Sequence, residues 1–222
     1  MYKYPIIVFE GIEGSGKTLH ANHVSRYLKR KKIKFIRLRE PGGNVSSEKI
    51  RKLILSNKSN FHKITDLLLY LAARNENLEQ SIKKNYGKKL ILIDRFTDST
   101  LAYQHYGMGI DYRLINLLNN FLIKNIKITV TFLNLVNTKN LRIRLSKRKN
   151  LNRYDKLKFK LYKKIQKGYI KISKKKKNKY VIIDSNKPIL INKKIITEEI
   201  DKFIKWTLIQ NIRKVYMVWI LI

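Results

Sequence analysis

Eight residues near the start of the chain have the types and the spacing of a loop that binds nucleotide phosphates. They read Gly-Ile-Glu-Gly-Ser-Gly-Lys-Thr and fit the pattern G-x-x-x-x-G-K-[ST], after an apolar run and before a helix-like segment. The glycines let the backbone curl until its N–H groups point at phosphate oxygens, and the dipole of the following helix adds to the attraction. Lys17 can reach the outer phosphates, and the Thr18 hydroxyl can bind Mg²⁺. The nucleotide-binding candidates are Gly11, Ile12, Glu13, Gly14, Ser15, Gly16, Lys17 and Thr18.

A second candidate pair, Asp94 and Arg95, follows the third apolar run of the chain. An acid at the carboxyl end of a buried strand, beside the strand of a phosphate loop, can hold Mg²⁺, usually through water. The arginine next to it can bind a phosphate with two parallel N–H donors. By themselves these two residues fit a surface ion pair equally well, but a phosphate loop in the same chain favours the functional interpretation.

The elements that must position these groups alternate along the chain. Five short, nearly continuous apolar runs predict strands that are buried on both faces of a parallel sheet. Segments with apolar residues three and four apart lie between them and predict helices. The pattern predicts a doubly wound α/β fold with a five-stranded parallel sheet and helices on both faces, in which ligands bind at the carboxyl ends of the strands. The predicted strands are 6–9, 34–38, 90–94, 128–133 and 180–184.

The organisation of the chain is that of one domain. A length of 222 residues is enough for a substantial core. No internal repeat and no long linker rich in Pro, Gly or Ser divides the chain, so residues 1–205 form one predicted domain. The very basic segment of about 141–157 is a predicted mobile lid. Residues 206–222 extend past the last expected helix, and the sequence assigns them no role.

Composition excludes several classes of protein. The chain has no cysteine, which excludes disulfides and thiolate metal sites. The first residues lack the layout of a signal peptide, and no apolar run reaches the length of a membrane span. We therefore expect a cytoplasmic protein that does not enter a membrane.

The formal net charge of +35 has two explanations. It can serve a polyanionic partner, such as nucleic acid or an anionic membrane. It can also reflect a drift of composition toward lysine, asparagine and isoleucine, as AT-rich coding produces. The lysines are spread over the whole chain rather than gathered in one stripe, which favours drift. We expect only weak, non-specific binding to nucleic acid, which falls as salt rises.

Three motifs together resemble the signature of the thymidylate kinase family, in the order and spacing of that family. They are Phe9–Thr18, Arg39–Gly43 and Asp94–Gln104, and the resemblance covers about residues 4–205. It implies the P-loop fold of nucleoside monophosphate kinases. It also implies transfer of the γ-phosphoryl group of ATP to dTMP with Mg²⁺, which makes dTDP for dTTP synthesis and DNA replication, and it implies a homodimer.

The resemblance assigns roles to the charged residues. Lys17 and the loop amides would hold the ATP phosphates, while Thr18 and Asp94 would help to order Mg²⁺. Arg95 would hold the dTMP phosphate with help from Arg39. Phosphoryl transfer leaves little covalent work to the protein, so these roles consist of positioning and of stabilising charge.

The thymidine part of the substrate would lie against a second set of residues. Glu13 would approach the sugar 3′-hydroxyl. Tyr70, where the family usually has Phe, would stack on the base, and Arg74, four residues later on the same helix face, would donate to a base carbonyl. The rest of this site would be lined by Ser99, Tyr103 and Gln104. Tyr103 would also crowd a 2′-hydroxyl and so favour deoxyribose.

The lid carries the remaining catalytic candidates. Bacterial-type members of the family have a glycine in the phosphate loop, as Gly14 is here, and carry their catalytic arginine in the lid. Residues 152–155, Asn-Arg-Tyr-Asp, resemble the lid motif Asp-Arg-hydrophobic-Glu of the family. Arg153 is therefore the leading candidate for an arginine that closes over the γ-phosphate, and Arg148 is the second.

Three departures from the family pattern predict weaker activity. Met108 stands where the family usually has arginine, and Asn134 and Asn152 stand where it has aspartate. Two other functions stay open: a basic P-loop ATPase that binds nucleic acid, and a decayed kinase relative kept for binding or assembly. The first lacks a second motor motif in the sequence. The second predicts loss of core phosphate-binding residues, and all of them are present.

Overall fold

A parallel sheet of five strands forms the centre of the protein. The computed structural model describes the backbone of residues 4–219 and the side chains of residues 4–204. The strand order is β2-β3-β1-β4-β5, and all pairs are parallel, so the predicted sheet is confirmed. The third and fifth strands have the predicted bounds. The strands are β1 (Ile6–Glu10), β2 (Phe35–Arg39), β3 (Leu90–Asp94), β4 (Val130–Leu135) and β5 (Tyr180–Asp184).

Helices connect the strands and cover the sheet. Two segments, Leu78–Ile82 and Leu101–Gly107, are π-helical, and Lys177–Lys179 form a 3₁₀ turn. The α-helices are α1 (Lys17–Arg30), α2 (Val45–Leu55), α3 (Lys63–Asn77), α4 (Lys83–Asn85), α5 (Thr97–Thr100), α6 (Tyr112–Ile123), α7 (Thr138–Ser146), α8 (Phe159–Lys175) and α9 (Ile189–Trp219).

Alternate strand residues face two different apolar layers. Ile7 lies in one layer with Val24 of α1 and Ile196 of α9. Ile6, its neighbour in β1, lies in the other layer with Leu78. This alternation follows from the period of two residues in a strand, and it confirms that helices cover both faces of the sheet.

The position of Asn134 in the fourth strand differs from the prediction. Sequence analysis places Asn134 after this strand, whereas the residue lies inside β4 and is buried. The strand tolerates a polar residue there because the amide is satisfied: its nitrogen lies 3.3 Å from the carbonyl oxygens of Glu10 and Phe132, and its oxygen lies 2.6 Å from His20 Nδ1. The aspartate-to-asparagine departure therefore serves the packing of β1 and α1 against β4.

The phosphate loop joins β1 to α1 at the carboxyl edge of the sheet. Gly11 and Gly16 have φ angles of 139° and 93°, in the region that favours glycine. A Cβ atom at Gly11 would lie 2.4 Å from the carbonyl oxygen of Asn134, so no larger residue fits there. This close approach of two backbones is the reason for the first glycine of the motif, and it lets α1 begin at Lys17.

Two predicted segment boundaries fall in the second half of the chain. The predicted lid, 141–157, contains most of α7 and nearly all of the loop that joins it to α8; its mobility stays a prediction. The last helix was expected to end near residue 205, but α9 continues to Trp219. No glycine or proline interrupts this helix, so nothing local ends it there. The side chains from 205 onward lie outside the described residues, and the segment keeps no assigned role.

The described helices also bear on membrane insertion. None of those within residues 4–219 combines the length and the apolar character that a membrane-spanning segment needs.

Candidate active site

A cleft of about 510 Å³ lies at the carboxyl ends of β1, β2 and β3. Parallel sheets of this type bind ligands at this edge, so its place agrees with the sequence-based expectation. The structure brings most of the predicted site residues together here. Those that line the cleft are Glu13, Lys17, Thr18, Arg39, Tyr70, Arg74, Asp94, Arg95, Ser99, Tyr103, Gln104 and Arg148.

Thr18 and Asp94 are the residues that could hold a magnesium ion. The Thr18 hydroxyl donates a hydrogen bond of 2.7 Å to Asp94 Oδ2, across the gap between α1 and the end of β3. Hydroxyl and carboxylate oxygens are ligands that Mg²⁺ accepts. Within the described part of the chain no group of three or more His, Cys, Asp or Glu side chains could hold a metal. An ion at this place would therefore take its remaining ligands from water and from substrate phosphates, as Mg²⁺ commonly does.

Lys17 lies buried under the phosphate loop. Its ammonium group donates a hydrogen bond of 2.7 Å to the carbonyl oxygen of Ile12. Burial, together with the positive charge of Arg95, lowers the pKa of Lys17 to about 7, against the opposing effect of the nearby acids Asp94, Glu13 and Glu10. A phosphate group beside Lys17 would supply the negative charge that favours the protonated form.

Arg95 is the most connected cation of the cleft. Its backbone φ is 70°, an uncommon conformation for a residue with a side chain. Its Nη2 atom forms an ion pair of 2.6 Å with Glu13 and a hydrogen bond of 3.1 Å to the Tyr103 hydroxyl. Nη1 lies 3.3 Å from the hydroxyl oxygens of Ser99 and Tyr169. The guanidinium therefore faces the cleft with a fixed orientation, which suits it to bind a phosphate.

Glu10, a residue that sequence analysis did not select, lies directly behind Arg95. It is the last residue of β1 and is fully buried. Burial raises the pKa of Glu10 to about 7; Asp98 also raises it, while hydrogen bonds from Ser99 and the Phe96 backbone and the charge of Arg95 lower it. The signal that could have revealed it is an acid that ends an apolar strand just before a phosphate loop, where no solvent is expected.

Comparisons with known proteins bear on the identity of this cleft. The sequence model of the family described as "Thymidylate kinase" matches residues 9–196. The chain belongs to the thymidylate kinase family. It is 41% identical over 184 residues to the thymidylate kinase of Thermosipho africanus, covering 82% of this chain and 90% of that protein. It is 37% identical over 196 residues to that of a Sulfurihydrogenibium species, covering 87% and 95%.

Solved structures agree with the sequence comparison. The crystal structure of thymidylate kinase from Ehrlichia chaffeensis matches with a TM-score of 0.70 and 30% identity, over 87% of this chain and 97% of the other. The family resemblance and the P-loop kinase fold predicted from the sequence are therefore confirmed.

The end of the cleft that the thymidylate kinase resemblance assigns to the base is built around Arg74. This side chain is only 2% exposed and donates to Glu40 at 2.8 Å, to Asn119 Oδ1 at 2.5 Å and to the Phe96 carbonyl oxygen at 3.1 Å. A guanidinium has five N–H groups, so these three bonds leave donors for a ligand. Tyr70 lies at the same end, edge-on to the Tyr154 ring.

Two buried polar atoms at this end have no hydrogen-bond partner among the described residues. They are Nε2 of Gln104 and Oε1 of Glu40, and both residues line the cleft. Unpaired buried donors and acceptors are costly in the absence of a ligand. A base that offers one acceptor and one donor can satisfy both.

The phosphate end holds arginines that the sequence could not single out. Arg37 and Arg51 line the cleft, and Arg51 donates at 2.5 Å to the carbonyl oxygen of Pro41. Arg144 donates at 2.9 Å to the Gly14 carbonyl oxygen and so braces the phosphate loop from α7. In a chain with 50 lysines and arginines, no spacing pattern distinguishes these three from the rest.

The two lid arginines have different surroundings. Arg148 lines the cleft and forms an ion pair with the buried Asp155. Arg153 is not part of the cleft lining; it forms an ion pair with Asp66 of α3 and donates to the Ile54 carbonyl oxygen. The predicted lead role of Arg153 stays a prediction, and it requires Arg153 to leave Asp66.

The other two departures from the family pattern have local partners. Asn152 accepts from the backbone N–H of Tyr154 at 2.8 Å and donates through Nδ2 to Asp155 at 2.6 Å, which closes a tight turn in the lid. Met108 is partly buried against the apolar cluster between α3 and α8.

The pH dependence of stability tests the state of Glu10. The folded protein raises the pKa of this carboxyl from 4.5 to about 7, so the native state binds the proton more tightly and ionisation lowers stability as pH rises through this window. Glu10→Gln cannot ionise, and its carbonyl oxygen can still accept from the backbone. Relative to the parent, its free energy of unfolding should rise by about 2 kcal/mol from about pH 5 to about pH 8. Urea unfolding measures this, and a difference that does not vary with pH would contradict the assignment.

Proposed function

We propose that this protein transfers the γ-phosphoryl group of ATP to dTMP and releases ADP and dTDP. The observation that carries the proposal is that one cleft joins a phosphate loop with Lys17 to an arginine suited to a second phosphate, Arg95, and to unpaired base-recognition groups around Arg74. Membership of the thymidylate kinase family supports it. The reaction serves dTTP synthesis for DNA replication.

The phosphate end performs the reaction by positioning charge. The loop amides and Lys17 hold the ATP phosphates, and Arg95 holds the phosphate of dTMP. That phosphate is already an anion, so its oxygen attacks without a base to remove a proton. Thr18 and Asp94 would hold Mg²⁺, which neutralises charge on the ATP phosphates when it is bound.

Glu13 has two tasks in this proposal. It pairs with Arg95 in the ligand-free structure, and a bound phosphate competes for the same guanidinium. Once displaced, Glu13 is free to accept from the sugar 3′-hydroxyl. Arg39 supports phosphate binding from the rim: its side chain is 55% exposed and pairs with Glu48 at 3.0 Å.

The base end selects thymine. Arg74 donates to a base carbonyl, Gln104 offers its unpaired amide, and Tyr70 packs against the ring. Tyr103 donates its hydroxyl to Glu13 and stands beside Arg95, where it crowds a 2′-hydroxyl. Ser99 completes the wall next to Arg95.

The lid supplies a further cation on closure. Arg148 is the arginine that already lines the cleft, where its side chain is 40% exposed and pairs with the buried Asp155. A guanidinium that arrives with lid closure stabilises the transition state more than the ground state. Arg153 contributes in the same way only after its pair with Asp66 has broken.

The proposal includes the assembly of two copies of the chain into a homodimer. Helix α6 presents Leu114, Leu117 and Phe121 along one face, and the last two are each 67% exposed. An apolar stripe of this kind marks an interaction surface. A second copy of the chain is the partner that the family resemblance implies. The cytoplasmic location and the weak binding to nucleic acid stay predictions.

Substrate preference tests the base end. In an assay that couples ADP release to a readout, dTMP should give the highest kcat/KM. The value for dCMP, which has the same sugar as dTMP, should be on the order of tenfold to a hundredfold lower, because cytosine presents an amino group to Arg74 where thymine presents an acceptor. Comparable values for dCMP and dTMP would contradict the proposed base site.

The substitution Lys17→Met tests whether phosphoryl transfer takes place in this cleft. It should lower turnover more than about a hundredfold, because no other long cation extends from the loop to the phosphates. Lys29→Met, an exposed position on the same helix, is the matched control and should keep parental turnover.

Single substitutions distinguish the roles of the two lid arginines. Arg148→Ala should lower kcat on the order of a hundredfold with a smaller change in the KM for dTMP, because its charge is needed in the transition state. Arg153→Ala should lower kcat less and should lower the melting temperature, since it removes the ion-pair partner of the buried Asp66 and leaves that carboxylate the hydrogen bond from the Tyr154 hydroxyl. The reverse order of kcat losses would show that Arg153 rearranges into the predicted role.

Sedimentation velocity tests the dimer. The parent should sediment as a dimer, and Leu117→Glu should shift it toward the monomer, because a charge in the apolar stripe would be desolvated on association. Leu190→Glu, at another exposed apolar position, should leave the dimer intact. A monomeric parent, or a Leu117→Glu protein that remains dimeric, would contradict the proposed face.

A further inference from the structure

Glu10 is buried, ionisable and without a part in the reaction proposed above. It accepts hydrogen bonds from four donors. Oε1 accepts from the backbone N–H groups of Phe96 at 2.9 Å and Ser99 at 3.1 Å. Oε2 accepts from the Ser99 hydroxyl at 2.6 Å and from the Tyr169 hydroxyl at 3.0 Å. One carboxylate thus holds both the main chain after Arg95 and a side chain of α8.

The backbone contacts of Glu10 fix the conformation of Arg95. A φ of 70° costs conformational free energy and persists only where neighbouring groups hold it. The peptide groups on either side of Arg95 are both held: Arg95 N donates to the Phe9 carbonyl oxygen at 2.9 Å, and Phe96 N donates to Glu10. Both acceptors belong to β1, the central strand, so the orientation of the arginine is set by the sheet.

The side-chain contacts of Glu10 set the direction of two hydroxyl groups. The oxygens of Ser99 and Tyr169 lie 2.7 Å apart, and each lies 3.3 Å from Arg95 Nη1. Above its pKa of about 7 the Glu10 carboxyl is ionised, and because a carboxylate can only accept, it then draws the hydroxyl hydrogens toward itself. The oxygen lone pairs then face the guanidinium and accept from it. A neutral amide at the same place would donate to these hydroxyls and turn their hydrogens toward Arg95.

We propose that Glu10 is a positioning residue for the dTMP phosphate, which acts on Arg95 through Ser99 and Tyr169. The proposal rests on the proposed function, since it takes Arg95 as the group that binds the acceptor phosphate. A buried carboxylate lowers the stability of the fold. Glu10 is kept despite this cost because only a carboxylate orients both hydroxyl groups toward itself.

Two conservative substitutions test this role. Glu10→Gln keeps the shape and reverses the polarity toward the hydroxyls, and Tyr169→Phe keeps the ring and removes one hydroxyl. For both we expect the KM for dTMP to rise on the order of tenfold or more, while the KM for ATP changes less than about threefold. The melting temperature of Glu10→Gln at about pH 8 should equal or exceed that of the parent. Should Glu10→Gln fail to fold, Tyr169→Phe carries the same test.

Tyr27→Phe is the matched control. Tyr27 is also a buried tyrosine that donates to a carboxylate, Asp201, but it lies in the last part of α1, away from the phosphate loop. Its KM values should be those of the parent.

Three results would overturn the proposal, two from the single variants and one from the double variant. The first is a parental KM for dTMP in Glu10→Gln or in Tyr169→Phe. The second is an equal rise of both KM values, which would mean general damage to the fold. In the double variant the loss should be smaller than the product of the single losses, because both act through Nη1 of Arg95; a full product would be the third. A parent that does not phosphorylate dTMP would refute the proposed function itself, and the two failures are thus distinguishable.

Discussion

Buried charge at the carboxyl end of β1 is the constraint on which the rest of the site depends. Two cations, Lys17 and Arg95, and two acids, Glu10 and Glu13, meet at this end of the central strand. Their charges are partly or wholly removed from water, so each must find a partner inside the protein. The fold meets this need unequally: Arg95 has an acid and three hydroxyl groups, whereas among the described residues Lys17 donates to a carbonyl oxygen alone.

That inequality is useful to a phosphate-binding protein. Within the described part of the chain no carboxylate forms an ion pair with Lys17, and burial together with the charge of Arg95 lowers its pKa to about 7, so a phosphate would supply the counter-charge. Arg95 instead has a temporary partner in Glu13, whose planar carboxylate resembles one face of a phosphate. The cleft therefore holds one cation without an ion-pair partner among the described residues, Lys17, and one cation with a replaceable partner, Arg95. An anionic substrate supplies the counter-charge for Lys17 and displaces Glu13 from Arg95.

The base end follows a different principle. There Arg74 and Glu40 form a buried ion pair, and the atoms left open among the described residues are one acceptor, Oε1 of Glu40, and one donor, Nε2 of Gln104. Unpaired donors and acceptors discriminate between bases that differ in donors and acceptors, because a wrong base leaves them unpaired and buried. The two ends of one cleft thus separate affinity for phosphate from recognition of the base.

The sequence by itself determined the parts that depend on short-range order. The phosphate loop, Asp94, Arg95 and the strands β3 and β5 could be predicted because each is a run of neighbouring residues with a fixed pattern. The motif combination also predicted the family. Tertiary structure alone decided the parts that depend on which distant elements meet. Glu10 acquires its proposed role from Tyr169 of α8, 159 residues away, and Asn134 could lie inside β4 because its amide finds partners in β1 and α1. Arg148 and Arg153 look alike in a basic segment, and only the position of Asp66 on α3 separates them. Spacing along the chain carries no such information, since the partner of a charged side chain is chosen by packing.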